Sequence, residues 1–306
     1  MKKQEIFTNK KSIVILASLC CLLWGSAYPC IKIGYEMFNI PQDDITSKFV
    51  FAGYRFFLAG IIVLLIAVIL RKPVFSFDKK AIGQIALLGL GQTSIQYIFF
   101  YIGMTYTSGI RGSIITGSGT FFSIILAHLL YRNDKLNLNK IIGCIIGFSG
   151  VVIANLNGSS IFGGTFSFKG EGFVMLAALS LSVASIYGKQ ITQKLDPFLV
   201  SGYQLAIGGL VLIVLGYVCG GELQGFTMKS IVLLIYMALL SSVAFSIWTI
   251  LLKYNKVGFV SMFNFLIPIF GSILSAIFLG ENIFDLKLLV ALVLVCLGIF
   301  LVYRRN

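Results

Sequence analysis

The sequence predicts an all-α polytopic membrane protein, ten transmembrane helices arranged as a 5+5 inverted-topology repeat. Three observations predict it. Of 306 residues, 58% are hydrophobic and only 11% charged, against about 25% charge in a soluble protein. The apolar residues fall in long runs such as "FFLAGIIVLLIAVIL" (Phe56 to Leu70) and "LLVALVLVCLGIFLVY" (Leu288 to Tyr303). The two halves of the chain also resemble each other at a nearly constant offset.

Crossing a bilayer takes about 20 mostly apolar residues. Ten stretches approach that length: 12–35, 49–70, 81–106, 109–131, 140–156, 170–192, 198–217, 230–252, 257–279 and 286–303. The opening "MKKQEIFTNKKSIVILASLCC" has the basic and apolar parts of a signal peptide, but with nine further spans behind it an uncleaved first helix is expected. The net charge of +13 is unevenly placed. With the N-terminus inside, the inner segments hold most of the lysines and arginines, among them Lys10, Lys11, Arg71, Lys72, Lys79, Lys80, Arg132, Lys135, Lys253 and Lys256. The outer segments hold Lys48, Arg111, Lys169, Lys229 and Lys287. That asymmetry predicts cytoplasmic termini on both ends and an even number of spans, in a plasma (bacterial inner) membrane. The lipid bilayer is therefore the expected partner. No basic-aromatic surface module points to nucleic acid. The six cysteines lie in apolar runs without metal-ligand spacing, so they read as small buried hydrophobes and no metal or cofactor is expected.

The repeat is visible residue by residue. "AGYRFFLAGI" (Ala52 to Ile61) matches "SGYQLAIGGL" (Ser201 to Leu210) at an offset of 149. At an offset of 148, "SGTFFSIILAHLLYRND" matches "LIPIFGSILSAIFLGEN" and Gly150 falls on Gly298. Residues 1–156 and 157–306 form the two expected halves. Five spans per half is odd, so the halves insert with opposite orientation, the basis of alternating access.

The chain resembles the drug/metabolite transporter superfamily, specifically the ten-helix EamA-type permeases. The resemblance runs over essentially the whole length. It rests on "LLWGSAYPCIKIG" in span one, "YRFFLAG" in span two, "FNFLIPIFGSILSAIFLGEN" in span nine, and the glycine-bearing ends of spans five and ten. It implies a carrier of small metabolites, often an amino-acid exporter, with a cavity lined by spans one, three, four, six, eight and nine. Two positions depart from the family pattern. Thr120 replaces the usual proline of span four, although Pro268 is present in span nine. Asn133-Asp134 replaces the usual acidic residue after span four, while Glu281 keeps its place after span nine.

Polar groups inside a membrane are costly and call for a partner or a wet cavity. Ser261, Asn264 and Pro268 share one face of span nine. Pro268 cannot donate to the Asn264 carbonyl, which leaves that carbonyl and the Asn264 amide available to a cavity. The repeat sets Ser113, Thr116 and Thr120 at the matching positions of span four. These stripes are either a central substrate site or helix-packing contacts. Gln92 and Gln96 on span three, and Ser242, Ser246, Thr249 and Trp248 on span eight, extend the same set. Trp24 and Trp248 either wall a substrate or anchor at the lipid interface.

In span one, Pro29 removes the bond to the Gly25 carbonyl and permits a bend. Trp24, Tyr28 and Lys32 follow one another at single turns. Lys32 and Arg55, read as lying in the outer thirds of their spans, are either cations that draw in a substrate carboxylate or snorkelled structural charges, Lys32 with Glu36 or Glu281. No Asp or Glu lies deep in a span, so His128, the only histidine, is the one candidate proton site. "GLGQTS" (Gly89 to Ser94) lacks the preceding strand of a nucleotide loop, and "GCIIGFSG" (Gly143 to Gly150) has helix-packing spacing. The expected function is secondary transport of small polar metabolites such as amino acids, by a monomer or homodimer, with export as the expected direction. The alternatives are exchange of organic anions, phosphorylated sugars or nucleotide-sugars, and, ranked last, an intramembrane enzyme or accessory subunit.

Overall fold

The structure, a computed structural model, describes residues 2–107, 109–154, 167–279 and 286–303. The boundary expected between the halves, at 156/157, lies outside them. A short helix α1 (Lys2–Thr8) precedes α2 (Lys10–Met37) and α3 (Ile45–Ile69). Then come α4 (Lys79–Gly89), a π-helical segment (Leu90–Ile95) and α5 (Gln96–Tyr106), which run on as one rod. The first half closes with α6 (Gly109–Leu130) and α7 (Leu138–Ala154). A π-helical turn (Phe168–Gly172) opens α8 (Phe173–Thr192), followed by α9 (Pro197–Val218) and α10 (Met228–Tyr254). The last segments are α11 (Val257–Ser261), a 3₁₀ turn (Met262–Phe265), α12 (Leu266–Leu279) and α13 (Leu286–Tyr303).

Among the described residues, seven helical segments are long and apolar enough to cross a membrane, and three shorter apolar stretches, Ile115–Leu130, Leu138–Ile153 and Leu289–Val302, fall where spans four, five and ten are predicted. The protein is a multi-pass helical membrane protein. Backbone polar groups in lipid must be satisfied within the segment, which is why every spanning piece is helical. Side chains cap the exposed ends: Asn9, Asp44, Asp78 and Asp196 accept from the first free amides of α2, α3, α4 and α9. Burial pushes the Asp44 carboxyl up, but hydrogen bonds from Ser47 and Thr46 outweigh it and hold the group below the usual range.

Helix packing follows the repeat. α3 lies along α9 and α7 along α13, each pairing a helix with its own mate. The largest of the remaining contacts come in exchangeable pairs: α2 packs on α12 as α8 packs on α6, and α2 on α10 as α8 on α5. The two self-paired seams are made of glycine. A Cβ on Gly60 would lie 2.3 Å from Ala206 N, and one on Gly209 2.3 Å from Phe57 N. On the other seam, a Cβ on Gly298 would lie 2.5 Å from the Gly143 carbonyl, and one on Gly150 2.7 Å from that of Ala291. Without a hydrophobic driving force in lipid, such backbone approach is what holds helices together. The "GCIIGFSG" spacing is thus a contact within the bundle, to α13.

Candidate functional site

Span one begins the site. Gly25 is where α2 meets α12 most closely: a Cβ there would lie 2.7 Å from Phe270 Cβ and 2.9 Å from Gly271 N. Opposite, a Cβ on Gly271 would come within 3.0 Å of the Tyr28 ring. So "WGSAYP" is a docking surface for span nine as well as a weak point at Pro29, around which α2 stays continuous. Trp24 packs edge-on against Trp248 (5.1 Å between centroids) and Phe245 (5.4 Å) of α10. The two predicted tryptophans therefore meet. The Trp24 indole N–H is buried without a hydrogen-bond partner, and so are the hydroxyls of Ser118 and Ser246. Those three atoms lie on spans one, four and eight. Each would gain roughly 1–3 kcal/mol from a polar partner that replaces its lost hydration.

The stripes on spans four and nine also meet. The Thr120 hydroxyl donates to the Ser261 carbonyl at 3.3 Å and stitches α6 to α11. Thr116 turns its hydroxyl back onto the Gly112 carbonyl (2.8 Å). Asn264 sits half-buried in the 3₁₀ turn just ahead of Pro268. The Leu266 amide is shared between the Asn264 and Phe263 carbonyls; the bond to Phe263 is the one that closes the 3₁₀ turn, and the Asn264 carbonyl is denied its α-helical bond by Pro268. Ser113 belongs to α6, but its side chain lies outside the described residues.

Gln92 lies within the π-helical stretch and Gln96 directly follows it, a geometry that recurs at functional positions. Gln92 is buried and faces Ser185 and Lys189 of α8 and Thr249 of α10 across a cavity of about 10 Å³, room for roughly one water. Gln96 is half-buried. Lys189 closes the bundle end that carries α1. Its ammonium donates to the Asn255 carbonyl and lies 5.3 Å from the centre of the Tyr131 ring, while Asn255 also reaches the Phe7 carbonyl at 2.8 Å. Beside it, Asp134 accepts from Lys140 Nζ (2.5 Å) and from the Gly258 amide (2.9 Å), both carboxylate and ammonium fully buried. The substituted acidic position after span four is thus an anchor between α7 and the start of α11.

The charges differ from the sequence expectation. Lys32 is exposed and forms no ion pair with Glu36 among the described residues; Glu281 lies outside them. Arg55 is not in an outer third. Because α3 starts at Ile45, Arg55 is two residues from the helix midpoint, Phe57. It is 2% exposed. Its Nε donates to Ser241 Oγ at 2.9 Å and its guanidinium lies 4.9 Å from the Phe56 ring centre. His128 accepts the Leu136 amide at Nδ1 (3.0 Å) and its carbonyl takes Lys135 Nζ (2.8 Å), so it ties down the turn after α6.

Sequence reasoning missed Lys189, Ser118 and the tyrosines around Arg55. It also missed that Arg55 and its mate by offset, Gln204, make equivalent contacts. That last signal was present in the aligned "GYRFF" and "GYQLA".

A two-repeat helical membrane bundle with buried unpartnered polar atoms on spans one, four and eight fits a membrane transport protein. Known proteins agree. The EamA-like transporter family matches residues 11–156 and again 168–304, so the chain belongs to that family. It is 26% identical over 278 residues to a chloroplastic WAT1-related protein of Arabidopsis thaliana, covering 88% of this chain and 64% of that one. It is 24% identical over 292 residues to the uncharacterized transporter YoaV of Bacillus subtilis, covering 92% of each. A protein of known crystal structure shares the fold, with a TM-score of 0.78 at 15% identity over 95% of this chain and 96% of that one.

Proposed function

We propose that the protein is a secondary carrier that exports small polar metabolites such as amino acids across the plasma membrane by alternating access, with both termini in the cytoplasm. One observation carries the reading: the helix contacts exchange in pairs when the two halves are swapped. The exchange is inexact, since α8 also packs on α10 without a matching seam of α2 on α4–α5 among the described residues; trading that difference between the halves defines a second arrangement, and alternation between the two exposes a central site to each side in turn. The central site is the set around Trp24, Tyr28, Gln92, Gln96, Ser113, Thr116, Thr120, Trp248, Ser261, Asn264 and Pro268. The excess of basic residues in the segments that share a side with the N-terminus supports the orientation. The mid-membrane position of Arg55 supports organic anions as the alternative cargo.

Counterflow in proteoliposomes tests the reading. Vesicles loaded with unlabelled amino acids are given each labelled amino acid outside. A carrier transiently concentrates the matching label, and the uptake saturates. Flux that only equilibrates and never saturates would overturn alternating access in favour of a pore. Counterflow with organic acids alone would replace the cargo and keep the mechanism.

A further inference from the structure

The fold builds one polar node twice. In the first copy, Arg55 Nε of α3 donates to Ser241 Oγ of α10 at 2.9 Å, and Ser242 Oγ donates to the Ala59 carbonyl at 3.0 Å. In the second, Thr93 Oγ1 donates to Gln204 Oε1 of α9 at 2.9 Å, and Ser94 Oγ donates to the Gly208 carbonyl at 3.0 Å. The offset of 149 carries Arg55 onto Gln204 and Ala59 onto Gly208; the offset of 148 carries Thr93 onto Ser241 and Ser94 onto Ser242. Both central side chains are buried, Arg55 at 2% and Gln204 at 1% exposure.

This duplication acts as an internal control. The second node holds the repeat-related pair, the π-helical stretch and α9, together through a neutral side chain whose own Nε2 stays unpartnered, so packing at this position does not require a charge. A cation near the middle of a membrane helix is costly and is rarely kept without a function. Arg55 has five donors, and among the described residues one hydrogen bond, to Ser241, is formed. No carboxylate pairs with it among those residues. The Phe56 ring lies 4.9 Å from the guanidinium carbon, and Tyr35, Tyr97, Tyr101 and Cys30 are its neighbours. Phe56 touches Phe245 (6.1 Å), which touches Trp24 (5.4 Å). The unpaired guanidinium is thus joined to the tryptophan pair through two ring contacts.

We propose that Arg55 is a substrate-binding residue whose guanidinium takes the carboxylate of a small solute, and that the cargo is therefore a carboxylate, zwitterionic or anionic. A planar fork matches a carboxylate through two parallel bonds, which an ammonium cannot do. The inference rests on the carrier reading for its biological meaning but not for its test.

The full chain in lipid nanodiscs is titrated with the twenty amino acids, pyruvate, succinate and benzoate, and each ligand that binds is compared with its amide. The protein has two tryptophans, both in the ring cluster, so its indole emission reports the site. At least one carboxylate is expected to change the emission saturably, with its amide at least about tenfold weaker. Arg55→Gln, which copies the native second node, is expected to weaken the carboxylate about 10- to 100-fold and leave the amide unchanged; Arg55→Lys recovers part of the loss. The proposal is overturned by equal binding of acid and amide, by unchanged affinity in Arg55→Gln, or by no response to the whole panel. If Arg55→Gln does not fold, the acid-amide comparison on the natural chain decides. Counterflow on the same preparation separates the two readings. Counterflow of a solute indifferent to Arg55→Gln sinks the site and keeps the carrier, and Arg55-dependent binding without counterflow does the reverse.

Discussion

Along the α3–α9 seam the helices are regular and touch backbone to backbone, at Gly60 against Ala206 and Gly209 against Phe57. In the centre of the bundle the helices depart from α geometry, with a π-helical stretch at Leu90–Ile95 and a 3₁₀ turn at Met262–Phe265. Both departures carry candidate site residues, Gln92 and Asn264. The contrast separates two jobs. A seam whose backbones interlock at several glycines, with Leu64, Val63 and Ile213 filling the gaps between them, cannot shift without clash, so it suits a fixed frame. A helix already strained away from its best hydrogen bonds can re-form them differently at small cost, so it suits the part that moves.

The largest effect should come from filling a seam. Gly60→Leu places a side chain where a Cβ alone would lie 2.3 Å from Ala206 N, 2.6 Å from the Gly202 carbonyl and 2.7 Å from Ala206 Cα. All three are backbone atoms, so relief requires α3 and α9 to separate. The expected outcome is loss of the monodisperse folded protein on size-exclusion chromatography after detergent extraction. A folded, transport-competent Gly60→Leu would break the frame assignment.

Next comes the link between frame and centre. Asp134 joins Lys140 of α7, a frame helix, to the Gly258 amide at the start of α11. Removing one partner leaves a buried unpaired ammonium, which costs about 3–5 kcal/mol. Asp134→Ala should lower the melting temperature sharply, whereas Asp134→Asn, which keeps an acceptor for the amide, should fall between. Equal stability of Asp134→Ala and the natural protein would mean the anchor is dispensable.

How much of this was legible in the sequence depends on the kind of feature. The spans were legible, because apolar length is a one-dimensional property, and so were the seams, because Gly53 and Gly60, like Gly202, Gly209 and Gly216, recur every seven residues. Which polar side chain faces the centre was not. A helix that is apolar on every side has no moment to orient it, so Lys32 and Arg55 looked alike although the structure leaves one exposed and buries the other. The π-helical stretch was also hidden: "LGQTSI" contains no proline, and the stretch packs on α8 and α9, partners distant in the chain. Pro268 did announce an irregularity, but its form, a 3₁₀ turn closed by the Leu266 amide on the Phe263 carbonyl, does not follow from the proline alone.

Regularising the centre sharpens the contrast. In Pro268→Ala the new amide can bond to the Asn264 carbonyl and draw residues 262–265 into the α-helix. The frame is untouched, so the melting temperature should hold or rise. The counterflow rate should drop about tenfold, equivalent to roughly 1.4 kcal/mol on the barrier. An unchanged rate with a stabilised fold would show that the 3₁₀ turn takes no part in the motion.

The smallest effect tests whether glycine matters by position or by presence. Gly83 lies on the exposed side of α4, and a Cβ there would meet nothing within 4 Å. Near the end of its helix, it has neither a neighbour to admit nor a left-handed backbone to serve. Gly83→Ala should therefore stabilise by about 0.5–1 kcal/mol, through better helix propensity and a less flexible unfolded chain. The sign is opposite to that expected at Gly60, although the residue type is the same. Thermal denaturation of the two alanine variants side by side decides it: if Gly60→Ala and Gly83→Ala shift the midpoint in the same direction, the close approach of α3 to α9 is not what fixes glycine there, and the frame must be held by something other than its backbone seam.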